Sequence, residues 1–249
     1  MGLFNSFRIW IIKGLTVAVA ILLLLPLSAC NLNTLLANTD QPPQLVDVIL
    51  SDPKTFNFVI ATDQTSALVG GMIFDGLTSQ NPLTGEIEPA LAESWSISED
   101  DLEIVYTLRQ NLKWSDGQPL TARDVVFTYN QLYLNPEIPT GMRDILKIGE
   151  SGALPQVIQL NERQVKFTVP EPFAPFLGVT GASIYPAHIL QPTVEQKNQK
   201  GNLEFLTTWS VDTPPEEIPA SSAYKLKSYA TAQRVVFEAN PYYWKKDVV

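Results

Sequence analysis

A single cysteine limits this chain more than any other feature. Cys30 is the only one in 249 residues, so no internal disulfide can close a loop and no cysteine-based metal cage can replace a core. Whatever folds here must be held by packing. The position of Cys30 narrows matters further. Arg8 and Lys13 give the first segment a positive end, no acidic residue precedes Asp40, and Leu15 to Leu27 (LTVAVAILLLLPL) is an apolar block broken only by Thr16. A basic region, an apolar region and then the small residues Ser28 and Ala29 stand in the order of an export signal. The block falls short of the roughly 20 apolar residues that span a bilayer, and extending it back to Ile9 brings in Lys13. An uncleaved membrane helix with an incidental cysteine is the competing reading.

Leu27-Ser28-Ala29-Cys30 resembles the lipobox of bacterial lipoproteins. That resemblance implies cleavage before Cys30, a diacylglycerol on its sulfur and usually a third acyl chain on the freed amine. Several chains anchor stably, because each buried CH₂ contributes about 0.8 kcal/mol. Residues 1–29 are then a signal peptide. Residues 30–44, polar and carrying Pro42-Pro43, form a tether, and residues 45–249 form the folded part. The chain has 26 acidic against 17 basic side chains, and Arg8 and Lys13 leave with the leader. Such an acidic balance argues against nucleic acid and anionic headgroups as partners. The 19 prolines and 13 glycines are spread along the chain, so a folded domain is expected rather than disorder. Roughly 220 residues remain, enough to bury a proper core.

Periodicity sketches the elements. A strand is expected over Leu45–Leu50. Residues 65–77 place Leu68, Met72, Ile73 and Leu77 at helical spacing, and the Gly70-Gly71 pair suggests a close neighbour. Residues 103–109 alternate, with Ile104, Tyr106 and Leu108 on one face of a strand. A turn at Ser115-Asp116-Gly117 leads to Thr121-Ala122-Arg123-Asp124, which reads as a capping box. The helix it opens aligns Val125, Tyr129, Leu132 and Tyr133. Val157–Leu160 and Gln164–Val169 read as a hairpin, with Val165, Phe167 and Val169 facing one way. A short helix is expected after Pro170–Pro175 and another from Pro186 to about Leu190, with a surface loop over Thr193–Asn202. A last hairpin pairs Ala223–Tyr229 with Arg234–Ala239. Strands and helices interleave irregularly, which predicts an α/β fold with a mixed sheet. Trp95 and Trp114 are expected in the core.

Catalytic and metal chemistry find little support. His188 is the only histidine, and no Gly-x-Ser-x-Gly elbow accompanies it for a Ser-His-Asp arrangement. It reads as a helix-terminus or packing histidine, with a lipoprotein hydrolase using His188 as a distant alternative. No zinc spacing is present. Glu99-Asp100-Asp101 with Glu103 lacks the order of a calcium loop. No glycine run matches a phosphate cradle. No cofactor and no enzymatic activity are expected.

Several blocks in order resemble the family-5 solute-binding proteins of ABC importers, the group of oligopeptide- and dipeptide-binding lipoproteins. They are Asp52-Pro53-Lys54-Thr55-Phe56-Asn57, Ile73-Phe74-Asp75-Gly76-Leu77, Ile87–Trp95 (IEPALAESW), and Tyr106–Arg109 running into Lys113–Gly117 (KWSDG). Leu120–Tyr129 (LTARDVVFTY) follows, then Ile184–Leu190 (IYPAHIL), Ala223–Leu226 (AYKL) and Asn240–Trp244 (NPYYW). The resemblance implies a two-lobed periplasmic-binding-protein type II fold that closes on a solute and delivers it to a membrane permease. Members of the family are about twice as long. The matched blocks therefore imply the first lobe with its accessory subdomain, and no second lobe within this chain. Implied partners are a peptide or similar small solute and an ABC permease, with membrane attachment through lipid and a monomeric state. The implied location is the extracytoplasmic face of a bacterial membrane. An inactive truncated remnant is the alternative. Where relatives carry a glycine before the Tyr-Lys-Leu strand, this chain reads Pro219-Ala220-Ser221-Ser222-Ala223. A serine there is strained if the turn needs positive φ. Alternatively, Ser221 and Ser222 present hydroxyls to the solute.

Overall fold

Alternation in residues 103–108 sets the centre of the fold. In the computed structural model, which describes residues 49–245, strand β4 (Glu103–Leu108) buries Ile104, Tyr106 and Leu108 and turns the intervening residues outward. Four strands form the main sheet. They are β3 (Ala92–Ile97), β4, β5 (Gln156–Gln159) and β6 (Gln164–Thr168), in the order β3-β4-β6-β5. Register pairs Tyr106 with Val165 and Ile104 with Phe167, so the inward sets of both strands coincide. Two smaller sheets pair β1 (Thr78–Gln80) with β2 (Ile87–Pro89), and β7 (Tyr224–Ala230) with β8 (Arg234–Ala239). Helices and strands interleave as expected, while every described ladder is antiparallel. No parallel pairing of a mixed sheet occurs among the described residues.

The main sheet is covered by the helix that Thr121 opens. Helix α2 (Ala122–Phe127) starts in a complete capping box, in which the Asp124 carboxylate accepts the Thr121 N–H at 2.8 Å. A π-helical turn, Thr128–Tyr133, continues it. Val125, Tyr129, Leu132 and Tyr133 are all buried, as their spacing predicts. Tyr129 meets Phe167 edge-on at 4.8 Å, and Phe167 in turn meets Tyr106 at 5.5 Å and Phe176 at 5.6 Å. Each such pair contributes about 0.5–1.5 kcal/mol beyond area burial. Trp114 is wholly buried, but Trp95 is only half-buried, against Tyr106 on the neighbouring strand.

Two expectations are corrected. Helix α1 (Gln64–Ile73) buries Thr65, Ser66, Val69, Gly70 and Ile73, whereas Leu68 is 52% and Met72 39% exposed. Gly70 sets the rotation. A Cβ there would lie 2.8 Å from the Phe58 ring, so the helix can approach closely only with that position inward, and its i±3 and i±4 neighbours follow. The helix also stops at Ile73, and Leu77 is buried from the extended segment beyond. The second correction concerns the helix after Pro186. Helix α5 (Ala187–Glu195) runs past Leu190 through Pro192, taking the first three residues of the loop expected at 193–202. Four short helical pieces complete the pattern, α3 (Met142–Ile145), α4 (Phe176–Val179) after the PEPFAP break, and 3₁₀ turns at Glu204–Thr207 and Pro215–Glu217.

Cys30, the leader 1–29 and the tether 30–44 lie outside the described residues, as does most of the strand expected over Leu45–Leu50. Ile49 and Leu50 are described and belong to no strand.

Candidate functional site

Three distant segments meet where α1 ends. The Ile73 carbonyl, one of those a helix C-terminus leaves unsatisfied, accepts the N–H groups of Ser221 at 2.9 Å and Ser222 at 3.0 Å. The Ser221 hydroxyl is buried and accepts the Asp75 N–H at 2.9 Å. Behind this loop, Ser115 and Ala220 bond reciprocally, with the Ala220 N–H on the Ser115 hydroxyl at 2.9 Å and the Ser115 N–H on the Ala220 carbonyl at 2.8 Å. Asn240 closes the third side. Its side-chain amide donates to the Ser222 carbonyl at 2.9 Å, and its Oδ1 accepts the Tyr242 N–H at 3.0 Å. Neither Ser221 nor Ser222 has positive φ, so the loop without glycine is not strained.

Asp75 stands at the meeting point. Its carbonyl accepts the Ile184 N–H at 2.9 Å, and with its own N–H held by Ser221 the backbone is fixed on both sides. The half-buried carboxylate receives the Trp244 indole N–H at 3.4 Å and is approached by the Ser222 hydroxyl. Burial pushes its pKa above the ordinary 3.8, and these two bonds only partly oppose that shift. Beside it, Tyr243 is pushed up to about 12 by burial and by the Asp75 charge, against the pull of Arg109. The Arg109 guanidinium lies 3.8 Å from the Trp244 ring centroid and donates to the carbonyls of Ala90 at 2.6 Å and Pro89 at 3.4 Å. Hydroxyl, carboxylate, indole and phenol thus lie close together, a set of groups able to hydrogen-bond a polar group.

The sequence pointed to Ser221 and Ser222, and the structure brings both to this surface in different ways. Ser221 spends its hydroxyl on the Asp75 backbone, whereas the half-buried Ser222 lies near enough to the carboxylate to oppose the upward shift of its pKa. Asp75, Asn240, Tyr243 and Trp244 went unassigned in sequence reasoning, although the blocks IFDGL and NPYYW contain them. His188 lies elsewhere. Its Nε2 is 2.8 Å from Asp116 Oδ2 at the start of α5, with the Trp114 ring 6.3 Å away. No described hydrogen bond joins it to a serine or threonine hydroxyl. Among the described residues, no three His, Cys, Asp or Glu side chains cluster closely enough to hold a metal ion. An open groove of about 250 Å³ runs between the 115–116 turn, the 215–218 segment and β7, but its lysines Lys225 and Lys227 are already paired with Glu238.

Comparison with known proteins bears on the whole assembly. The oligopeptide-binding protein AliA of Streptococcus pneumoniae is 31% identical over 215 residues, which cover 80% of this chain and 31% of that protein. The periplasmic oligopeptide-binding protein OppA of Salmonella typhimurium is 28% identical over 184 residues, covering 69% of this chain and 31% of its own length. A crystal structure of a periplasmic oligopeptide-binding protein from Borrelia burgdorferi superposes with a TM-score of 0.64 at 27% identity, over 80% of this chain and 40% of that one. The fold is thus a portion of a type II periplasmic binding protein, and the chain spans about a third of the length of the curated relatives it matches. Residues 86–249 match the family described as bacterial extracellular solute-binding proteins, family 5 Middle. By that match, and by the ordered blocks that converge at the end of α1, this chain belongs to the family-5 extracellular solute-binding proteins of bacteria.

Proposed function

We propose that this chain is the lipid-anchored solute-binding component of an ABC importer, attached through Cys30 and working on the extracytoplasmic face of a bacterial membrane. Its solute is a peptide or a similar small solute, passed on to a membrane permease. The observation that carries this reading is the junction of two independent signals in one sequence. A basic and apolar segment with the order of an export leader runs into Leu27-Ser28-Ala29, directly before Cys30, and residues 86–249 match a family of extracellular solute-binding proteins. The named relatives that bind oligopeptides support peptides as the solute class.

The solute-facing surface is the one at the end of α1. Ser222 offers its hydroxyl directly, and Ser221 acts through the Asp75 backbone that it holds. Lobe closure supplies the opposing contacts, since half a cleft buries too little of a ligand for tight binding. The anchor has a direct test. Protein extracted from membranes should have the mass of a chain that begins at Cys30 and carries acyl groups, and Cys30→Ser should abolish both the acyl mass and the cleavage, leaving residues 1–29 attached. A mature chain that keeps residues 1–29, or one with a free thiol at Cys30, would overturn the anchor.

A further inference from the structure

The loop that carries Ser221 and Ser222 is braced from behind by a turn, and that turn is held by the only histidine in the chain. Through Ser115 the 115–117 turn grips Ala220, directly before the two serines. Asp116, next along, divides its carboxylate. Its Oδ1 accepts the Gln118 N–H at 2.9 Å and closes the turn, while Oδ2 accepts from His188 Nε2 at 2.8 Å. His188 is placed by the start of α5, where the Ala187 N–H is held by Asp124 at 2.9 Å, and it packs near the Trp114 ring. A continuous run of bonds thus leads from α5 through His188, Asp116 and Ser115 to the 219–222 loop.

Imidazole is the side chain whose charge ordinarily changes near neutral pH. No described hydrogen bond reaches His188 Nδ1, so that nitrogen can gain or lose a proton while Nε2–H goes on donating to Asp116. With the ring protonated, the contact is a charge-assisted bond, roughly twice as strong as a neutral one. With the ring neutral, a plain hydrogen bond is left, and the tautomer with its proton on Nδ1 loses even that. The two side chains are 28% and 29% exposed, so solvent screens the pair only in part. Other charges surround it. Asp124, at the start of α2, feels the His188 charge, which helps to oppose the rise that burial imposes on its carboxyl. Arg123 bonds Gln191, one turn further along α5, and Glu195 and Glu204 lie toward the far end of that helix. Across the groove beside Asp116 stand Glu216 and the lysines Lys225 and Lys227, both paired with Glu238. The N-terminus of α5 itself disfavours a cation. Of these groups, Asp116 is the one that bonds the ring.

We propose that His188 and Asp116 form a pH-responsive strut behind the 219–222 loop, tight while His188 is protonated and slack when it is neutral. His188 is a positioning residue, acting through Asp116 and Ser115 on Ser221 and Ser222. The strut rests on the reading that this loop faces the solute, and it adds a form of regulation to that reading. The ion pair exists only while the ring holds its second proton, so order in the loop is lost as pH rises through the His188 titration and regained as pH falls.

The test follows backbone amide exchange at Ser221 and Ser222 in the full chain between about pH 5 and pH 8, expressed as protection relative to the unstructured rate at each pH. The His188 ring resonances are recorded alongside, and in a chain with one histidine they identify themselves. Protection of both amides should fall roughly two- to five-fold as pH rises, with a midpoint that matches the ring titration, while amides of β6 stay unchanged. Asp116→Asn keeps an acceptor for Nε2–H and removes the charge. In that variant the ring should still titrate and the step in protection should vanish. Protection that stays constant across the ring titration would overturn the strut, as would a step that persists in the Asn variant. Should Asp116→Asn not fold, the two titrations of the unaltered chain decide alone. A missing step removes the strut and leaves the solute-binding reading standing, whereas an unacylated Cys30 removes the anchor without touching the strut.

Discussion

At the scale of single residues, the half-buried Asp75 and the buried Asp124 behave differently and make different predictions. Burial raises the Asp75 pKa above 3.8. Between 3.8 and that raised value, the folded chain keeps a proton that the unfolded chain has released. Folding stability therefore falls as pH rises through this window. Asp75→Asn has no such charge to bury, so its stability relative to the parent should climb between pH 3.5 and pH 7 in urea denaturation. Parallel pH profiles would show that the carboxylate is not desolvated. Asp124 is raised by burial as well, but it spends its oxygens on the N–H groups of Thr121 and Ala187 at 2.8 and 2.9 Å. It thereby ties the start of α2 to the start of α5. Asp124→Ala should cost roughly 3 kcal/mol, because it leaves two buried donors unpaired. A loss near zero in the same denaturation assay would mean that water replaces both bonds.

At the scale of elements, two glycines five residues apart, Gly71 and Gly76, are opposites in packing. Gly71 lies on the open face of α1 with nothing within 4 Å of an added Cβ, while a Cβ on Gly76 would lie 2.3 Å from the Gly181 carbonyl oxygen. Gly71→Ala should stabilise the protein by about 1 kcal/mol through helix propensity. Gly76→Ala should destabilise it by about 3 kcal/mol, since backbone meets backbone there and cannot yield cheaply. Thermal melts of the two variants should move in opposite directions. The contrast also shows which elements were legible in the sequence. Strand β4 was readable because Ile104, Tyr106 and Leu108 alternate and one side of the strand is buried along its length. Thr121 and Asp124 gave away α2 because a capping box is a local device. The face of α1 was not readable from its apolar residues. Its rotation is set by what Gly70 touches, and Phe58 is a tertiary neighbour. The extent of α5 was missed for a related reason, since Pro192 reads as a stop and the helix nevertheless continues.

At the scale of the whole molecule, one apolar cluster runs from Phe56 through Tyr106 and Phe167 to Leu226. A continuous core of this kind predicts a single cooperative transition. Tryptophan fluorescence and far-ultraviolet circular dichroism should report the same urea midpoint, and two separated midpoints would show independent units within residues 49–245. The candidate site was only partly legible at this scale. Ser221 and Ser222 could be singled out from the altered loop, but their meeting with Asp75 and Trp244 is a product of the fold. The bond from Asp75 to Ser221 spans 146 residues of sequence, and that from Trp244 to Asp75 spans 169. Contacts this remote in sequence carry the largest loop-closure cost and form late. During synthesis, helix α1 leaves the ribosome long before Ser221, and Trp244 comes later still. A nascent or clipped chain that stops short of Trp244 can build most of the main sheet and still lack one wall of the site. The surface at the end of α1 is thus assembled only after residues as far as Trp244 have been made and have folded back onto Asp75.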